Sequence, residues 1–190
     1  MQSIIKFEFE EHLKTSQATF ESIGHSVEVA AKLCIDCLKN GNKILLFGNG
    51  GSAADAQHMA AELMGGLRSH DRPAIQSIAL TTDTSFITAW SNDTDYESIF
   101  SRQIEGLGSA GDILMAISTS GNSRNVVKAV ESCKEKGITV IVLTGKTGGV
   151  LKDMGDVTIS IPSDDTQRIQ EGHLLAEHIL CEMVEKSVTG

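Results

Sequence analysis

The sequence predicts an α/β protein: one domain on a five-stranded parallel sheet flanked by helices, flavodoxin-like in connectivity. Three observations predict it. Short apolar runs recur from residue 43 to residue 162, helical patterns separate them, and the 190 residues include only two prolines. Apolar strands alternating with helices form parallel βαβ units whose sheet is covered on both faces. The apolar fraction of 41% and charged fraction of 22% are ordinary for a soluble globular protein. A chain of this length buries a good core without disulfides.

Taken in order, residues 3–39 read as two amphipathic helices, a hairpin broken near Gly24. The second ends at KNGN, with Gly41 as its C-terminal stop. The predicted strands are KILLFG (43–48), AIQSIAL (74–80), DILMAIS (112–118), ITVIVLTG (138–145) and DVTISIP (156–162). Helical segments lie near 52–66, 85–91, 96–107, 122–136 and 148–154, and a long one closes the chain from about 166 to 187. No repeat, low-complexity tract or linker divides the chain, so residues 1–190 are expected to form a single domain.

A net charge of -9 argues against a nucleic-acid or anionic-membrane surface. It leaves an anionic substrate open, because backbone amides at a helix N-terminus bind phosphate inside an acidic protein. No apolar stretch reaches the ~20 residues that span a bilayer. The N-terminal MQSIIKFEFEEH has acidic residues where a signal peptide has its apolar core, so a cytoplasmic protein is expected. Cys34 and Cys37 form one C-x-x-C with no second pair, which reads as buried free thiols on a helix.

In doubly wound folds ligands sit at the carboxyl ends of the strands, near the point where strand order reverses. Two strand-to-helix turns stand out there. GNGGS follows the first strand: its glycines permit close backbone approach, and Ser52 is expected as the helix N-cap. It lacks the lysine of a Walker loop, and the acidic residue that a dinucleotide site expects about 20 positions on is missing. ISTSGNS follows the third strand and gathers Ser118, Thr119, Ser120 and Ser123 around Gly121. Hydroxyls and turn amides at a strand-to-helix junction suit a phosphate monoester.

The helix that begins at Ser52 carries His58 and Glu62 at i, i+4, on one face. The C-terminal helix, TQRIQEGHLLAEHIL, adds Gln170 and His178. These two are about 12 Å apart in axial rise if both are helical. They reach one metal only with extended side chains and Gln170 near a frayed helix start, or from different subunits. Imidazole and carboxylate with a neutral oxygen donor suit zinc or a similar divalent ion.

In four stretches, GNGGSAADAQHMAAEL, SNDTDYESIFSRQIEGLGSAGD, ISTSGNSRNVVKA and RIQEGHLLAEH, the chain resembles the sugar isomerase (SIS) domain family. Within it, the chain is similar to the branch that interconverts sedoheptulose 7-phosphate and D-glycero-D-manno-heptose 7-phosphate for lipopolysaccharide or capsule. The resemblance spans essentially the whole chain. It implies that Ser118, Thr119, Ser120 and Ser123 hold phosphate and that Asn49, Gly50, Gly51 and Ser52 line the sugar site. Asn92 and Asp93 of the SND turn, with Gln170, would reach substrate. It further implies one zinc ion on His58, Glu62, Gln170 and His178, Glu62 as catalytic base and His178 as its acid/base partner. A homotetramer with sites at subunit interfaces also follows, with residues 1–40 used in assembly. Two positions depart from the family pattern: Gly66 stands where many members have arginine, and Gln167 where some have an acidic residue.

The rival within the same family is a non-catalytic scaffold resembling the DnaA initiator-associating protein. That relative lacks counterparts of Glu62 and His178 and has arginine in place of Ser120, so all three positions here favour the isomerase.

Overall fold

The computed structural model describes residues 1–189. Its elements run α1 (Gln2–Lys39), β1 (Ile44–Gly48), α2 (Gly51–Gly65), β2 (Ser77–Ala79), α3 (Thr84–Asp93), α4 (Ile99–Leu107), β3 (Ile113–Ser118), α5 (Arg124–Lys136), β4 (Thr139–Thr144), β5 (Val157–Ser160) and α6 (Thr166–Val188). A short 3-10 turn, Val150–Asp153, links β4 to β5 where a helix was expected. Among the described residues no helix is long and apolar enough to cross a membrane.

The five strands form one parallel sheet in the order β2-β1-β3-β4-β5. Strand order reverses beside β1, so the turns leaving β1 and β3 are neighbours at the carboxyl end of the sheet. β1 and β3 are buried along their whole length, as strands covered on both faces must be. One core packs α1, α2 and α6 against the sheet through Ile44, Leu46, Met115, Ile117, Met59 and Leu180. The other packs α4 and α5 on the opposite face through Leu45, Phe47, Leu114, Phe100 and Val130.

The N-terminal hairpin is not formed. Residues 2–39 are one helix of 38 residues, with Gly24 in its interior. An interior glycine costs about 1 kcal/mol against alanine. Here Ile23, Val27, Ala30, Ala31 and Cys34 continue one buried stripe through and beyond that position, so tertiary packing overrides local propensity. Gly41 follows the helix end as expected, with φ of 80°. Cys34 and Cys37 are free and buried. Burial pushes their thiols up to about 12 and about 11, so neither is a reactive thiolate.

Candidate active site

The first turn is shaped by its glycines. Gly50 has φ of 57° and is itself the N-cap of α2, so Ser52 is not the cap. Ser52 is instead buried in the first helical turn, its amide bonded to the carbonyl of Asn49 at 3.0 Å. Gly51 is required for a different reason: a side chain there would occupy the space held by the Gln170 amide. Gln170, within α6 rather than at a frayed start, therefore lies directly against the glycine turn.

The second turn leaves β3 at Ser118 and enters α5 at Ser123, whose hydroxyls stand 3.2 Å apart. Ser120 Oγ accepts from the amide of Asn122 at 3.2 Å. The two turns are joined by reciprocal bonds between the amides of Asn49 and Asn125, both 2.9 Å long. Tyr96 donates its hydroxyl to the same Asn49 Oδ1 at 2.9 Å. The Asn49 side chain is thus largely committed to fixing the two turns against each other.

His58 and Glu62 share a face of α2, with Nε2 to Oε1 at 3.5 Å. α6 brings His178 to the same place, its Nε2 2.9 Å from His58 Nε2 and the rings edge to face. One ligand atom from each of His58, Glu62 and His178 lies within 4.8 Å of the others. Neighbouring ligands of a tetrahedral ion with bonds of ~2.0–2.1 Å stand about 3.3 Å apart. Two imidazoles and a carboxylate at these separations are a donor set of the right chemistry and spacing for zinc. Glu62 Oε2 has no hydrogen-bond donor among the described residues.

Two carboxyls adjoin this cluster, Glu177 buried and Asp55 half-buried. Glu177 is 1% exposed with neither oxygen bonded among the described residues. Burial first, and the charge of Asp55 second, push it up to about 9, so it is protonated at neutral pH. Burial also raises Asp55, against the opposing effect of His58.

Asn92 and Asp93 end α3 rather than forming a turn. Both are exposed, and Asn92 Nδ2 bonds Asp93 Oδ1 at 2.7 Å. Neither forms a hydrogen bond to the rest of the site among the described residues. Sequence reasoning missed Asn125, Tyr96 and Arg72. Tyr96 and Asn125 lie inside motifs already singled out, whereas Arg72 carries no motif signal. The Arg68 guanidinium, two residues after Gly66, pairs with Glu182 at 3.0 Å.

A model of the SIS domain family matches residues 8–145. The chain is 48% identical over 192 residues to the phosphoheptose isomerase of Sulfurimonas denitrificans, covering 100% of this chain and 98% of the relative. The chain belongs to the phosphoheptose isomerase family of SIS domains. Solved structures of family members agree. The phosphoheptose isomerase of Neisseria gonorrhoeae matches with a TM-score of 0.92 at 42% identity, over 97% of this chain and 98% of that one. The one from Francisella tularensis matches with a TM-score of 0.94 at 37% identity, with the same coverage. The fold of these family members is thus the fold described above.

Proposed function

We propose that this chain is an aldose–ketose isomerase that converts sedoheptulose 7-phosphate to D-glycero-D-manno-heptose 7-phosphate in the cytoplasm, supplying heptose for surface polysaccharide. The observation that carries the reading is the His58–Glu62–His178 cluster on helices that open from, or pack against, the glycine turn. The non-catalytic scaffold is not favoured, since the named relatives are isomerases and the chain carries both Glu62 and His178, which that scaffold lacks.

The reaction moves a proton between C1 and C2 and another between their oxygens. The carbon acid is weak, so a carboxylate must face it in fixed geometry. Glu62 is that base: Oε1 faces His58, and Oε2 remains for the substrate carbon. Transfer of the C1 proton to Glu62, with a proton delivered to the C2 oxygen, gives an enediol, and return of the Glu62 proton to C2 completes the aldose. His178 carries protons at the sugar oxygens from the other helix. The hydroxyl turn, Ser118, Thr119, Ser120 and Ser123, holds the phosphate, and Asn49, Gly50, Gly51 and Ser52 line the sugar. Gln170, seated on Gly51, and the exposed amide and acid of Asn92 and Asp93 bind the remaining hydroxyls. Remote phosphate binding then fixes the reacting carbons against Glu62.

His58, Glu62 and His178, with Gln170, would hold zinc. Bound there, zinc would polarise the carbonyl as a Lewis acid and favour the negative charge developing on oxygen.

The reading includes a homotetramer whose sites lie at subunit interfaces. Its support is the first half of α1, where Ile4, Phe7, Phe9, Leu13 and Phe20 are 58–79% exposed. Such an apolar patch marks a protein contact.

Proton NMR of metal-replete protein with sedoheptulose 7-phosphate, beside Glu62→Gln, tests the reading. Aldoheptose 7-phosphate forms with the wild type and not with the variant if it holds. A wild type that binds the sugar phosphate unchanged overturns it.

A further inference from the structure

We propose that Lys146 supplies the positive charge of the phosphate site, reaching it from the turn that follows β4. The inference rests on the isomerase reading and adds to the site a residue from a third strand end.

The hydroxyl turn after β3 contains no cation, and the chain carries a net charge of -9. A dianionic sugar phosphate therefore approaches against the average field of the protein. Lys146 lines a cavity of about 240 Å³ together with Thr119 and Ser120 of that turn and with Thr147, Ser163 and Thr166. The wall is rich in hydroxyls, and Lys146 is its one cation among the described residues.

The main chain fixes Lys146 there. The amide of Gly145 donates to the carbonyl of Thr119 at 3.1 Å, and the amide of Lys146 itself donates to the carbonyl of Ser163 at 3.1 Å. Further along, the amide of Leu151 donates to the carbonyl of Gly121 at 3.0 Å, and that of Val150 to Asn122 Oδ1 at 3.0 Å. Gly121 packs so closely on Gly148 that a side chain on Gly121 would strike the Gly148 carbonyl. The turns after β3 and β4 are thus interlocked, and the backbone of Lys146 is held beside Thr119 and Ser120.

The ammonium is available. Its present partner is Asp164, with Nζ to Oδ2 at 3.5 Å and side chains 63% and 67% exposed. An exposed pair of this kind contributes little. A phosphate monoester brings about -1.5 to -2 charge at neutral pH and three acceptor oxygens, so it outcompetes one carboxylate for the ammonium. Lysine acts at such a site as a point charge on a flexible stem, which suits a ligand that must enter and leave.

The test is steady-state isomerisation of sedoheptulose 7-phosphate by wild type, Lys146→Gln and Lys146→Arg, with inorganic phosphate as competing anion. Lys128→Gln, on the exposed side of α5, is the control for general charge. Losing a hydrogen bond to a charged group costs about tenfold or more in binding. Lys146→Gln is therefore expected to raise both KM and the inhibition constant of phosphate about tenfold, with kcat nearly unchanged. Lys146→Arg should recover most of the loss, and Lys128→Gln should match wild type. Unchanged KM and unchanged phosphate inhibition in Lys146→Gln overturn the proposal, as does a fall in kcat at constant KM. If the wild type turns over no sedoheptulose 7-phosphate, the isomerase reading fails by itself. Calorimetric titration of inorganic phosphate into the same proteins then decides Lys146 independently: weaker binding by Lys146→Gln supports it, and equal binding overturns it.

Discussion

Arg72 and Glu185 form a buried ion pair, Nε to Oε2 at 2.8 Å, with side chains 4% and 6% exposed. Glu185 also accepts the backbone amides of Leu67, Arg68 and Ser69, so one carboxylate closes the whole loop after α2. Burial alone would raise this carboxyl, but the bonds from Arg72 and the loop amides outweigh it and hold the group below the usual glutamate range. Arg72 Nη2 donates in turn to the carbonyl of Glu62 at 2.9 Å. The end of α2 that carries Glu62 is therefore tied to the end of α6.

Removing one partner of a buried pair strands the other charge, at a cost of about 3–5 kcal/mol. For a domain of this size that lowers Tm by roughly 6–20 °C. Glu185→Ala and Arg72→Ala should both do so in scanning calorimetry. Because the bonded carbonyl belongs to Glu62, Arg72→Ala should also lower kcat of the folded fraction. A melting midpoint that stays in place would mean that water substitutes for the lost partner.

The imidazoles of His58 and His178 make a second prediction. Zinc that binds only the folded protein stabilises it by about 2.7 kcal/mol at 100 times its Kd, or roughly 5–10 °C in Tm. Metal-stripped protein should show that rise on adding zinc, and His178→Gln should lose most of it. A wild-type midpoint indifferent to zinc would mean that the two rings only hydrogen-bond each other.

Much of this was legible in the sequence because the strands are apolar runs and the turns are punctuated by glycine. Both signals are local, and they placed all five strands and the residues of both turns. The hairpin at Gly24 failed because what keeps α1 straight is not local: the stripe from Ile23 to Cys34 is held by α6 and the sheet. Ser52 failed as a cap because Gly50, with positive φ, caps the helix two residues earlier than the usual capping pattern suggests. The spacing of Gln170 and His178 remained ambiguous in one dimension. In the fold, Gln170 sits on Gly51 while His178 meets His58, so one helix runs from the glycine turn to the His58–Glu62–His178 cluster. Arg72 and Lys146 were invisible because their roles depend on contacts with Glu185 and with the β3 turn, which no spacing rule encodes.

Asn125 is predicted to matter as much as the residues it supports. It is buried, and its amide satisfies that of Asn49 in both directions. Asn125→Ala leaves Asn49 Nδ2 without its acceptor, while Oδ1 keeps the Tyr96 hydroxyl, at about 1–3 kcal/mol. The variant should melt lower, and KM should rise because the glycine and hydroxyl turns lose their fixed separation. Tyr96→Phe removes only the third bond to Asn49, about 0.5–1.5 kcal/mol, and should give a smaller change in the same direction. Equal KM values for all three proteins in steady-state assays would refute the coupling.

His173 sets a pH dependence of stability that its position makes calculable. The ring is fully buried, its Nε2 bonded to the carbonyl of Thr144 at 3.1 Å and its Nδ1 unpartnered among the described residues. Burial pushes the imidazole from the ordinary 6.5 down to about 4, against the weaker effect of the Thr144 bond. The folded state thus refuses a proton that the unfolded chain accepts between those values. Its stability contribution is complete above pH 6.5, falls as the pH drops towards 4, and levels off below, a loss of about 3 kcal/mol in all. His173→Gln keeps a donor for Thr144 but cannot titrate. Urea unfolding of both proteins from pH 7.5 to pH 4 should show the variant gaining about 3 kcal/mol relative to wild type across that window. Carboxyl groups titrate in both proteins and cancel in the difference. Parallel curves would mean that the folded protein admits the proton, and that His173 is not held neutral by its burial.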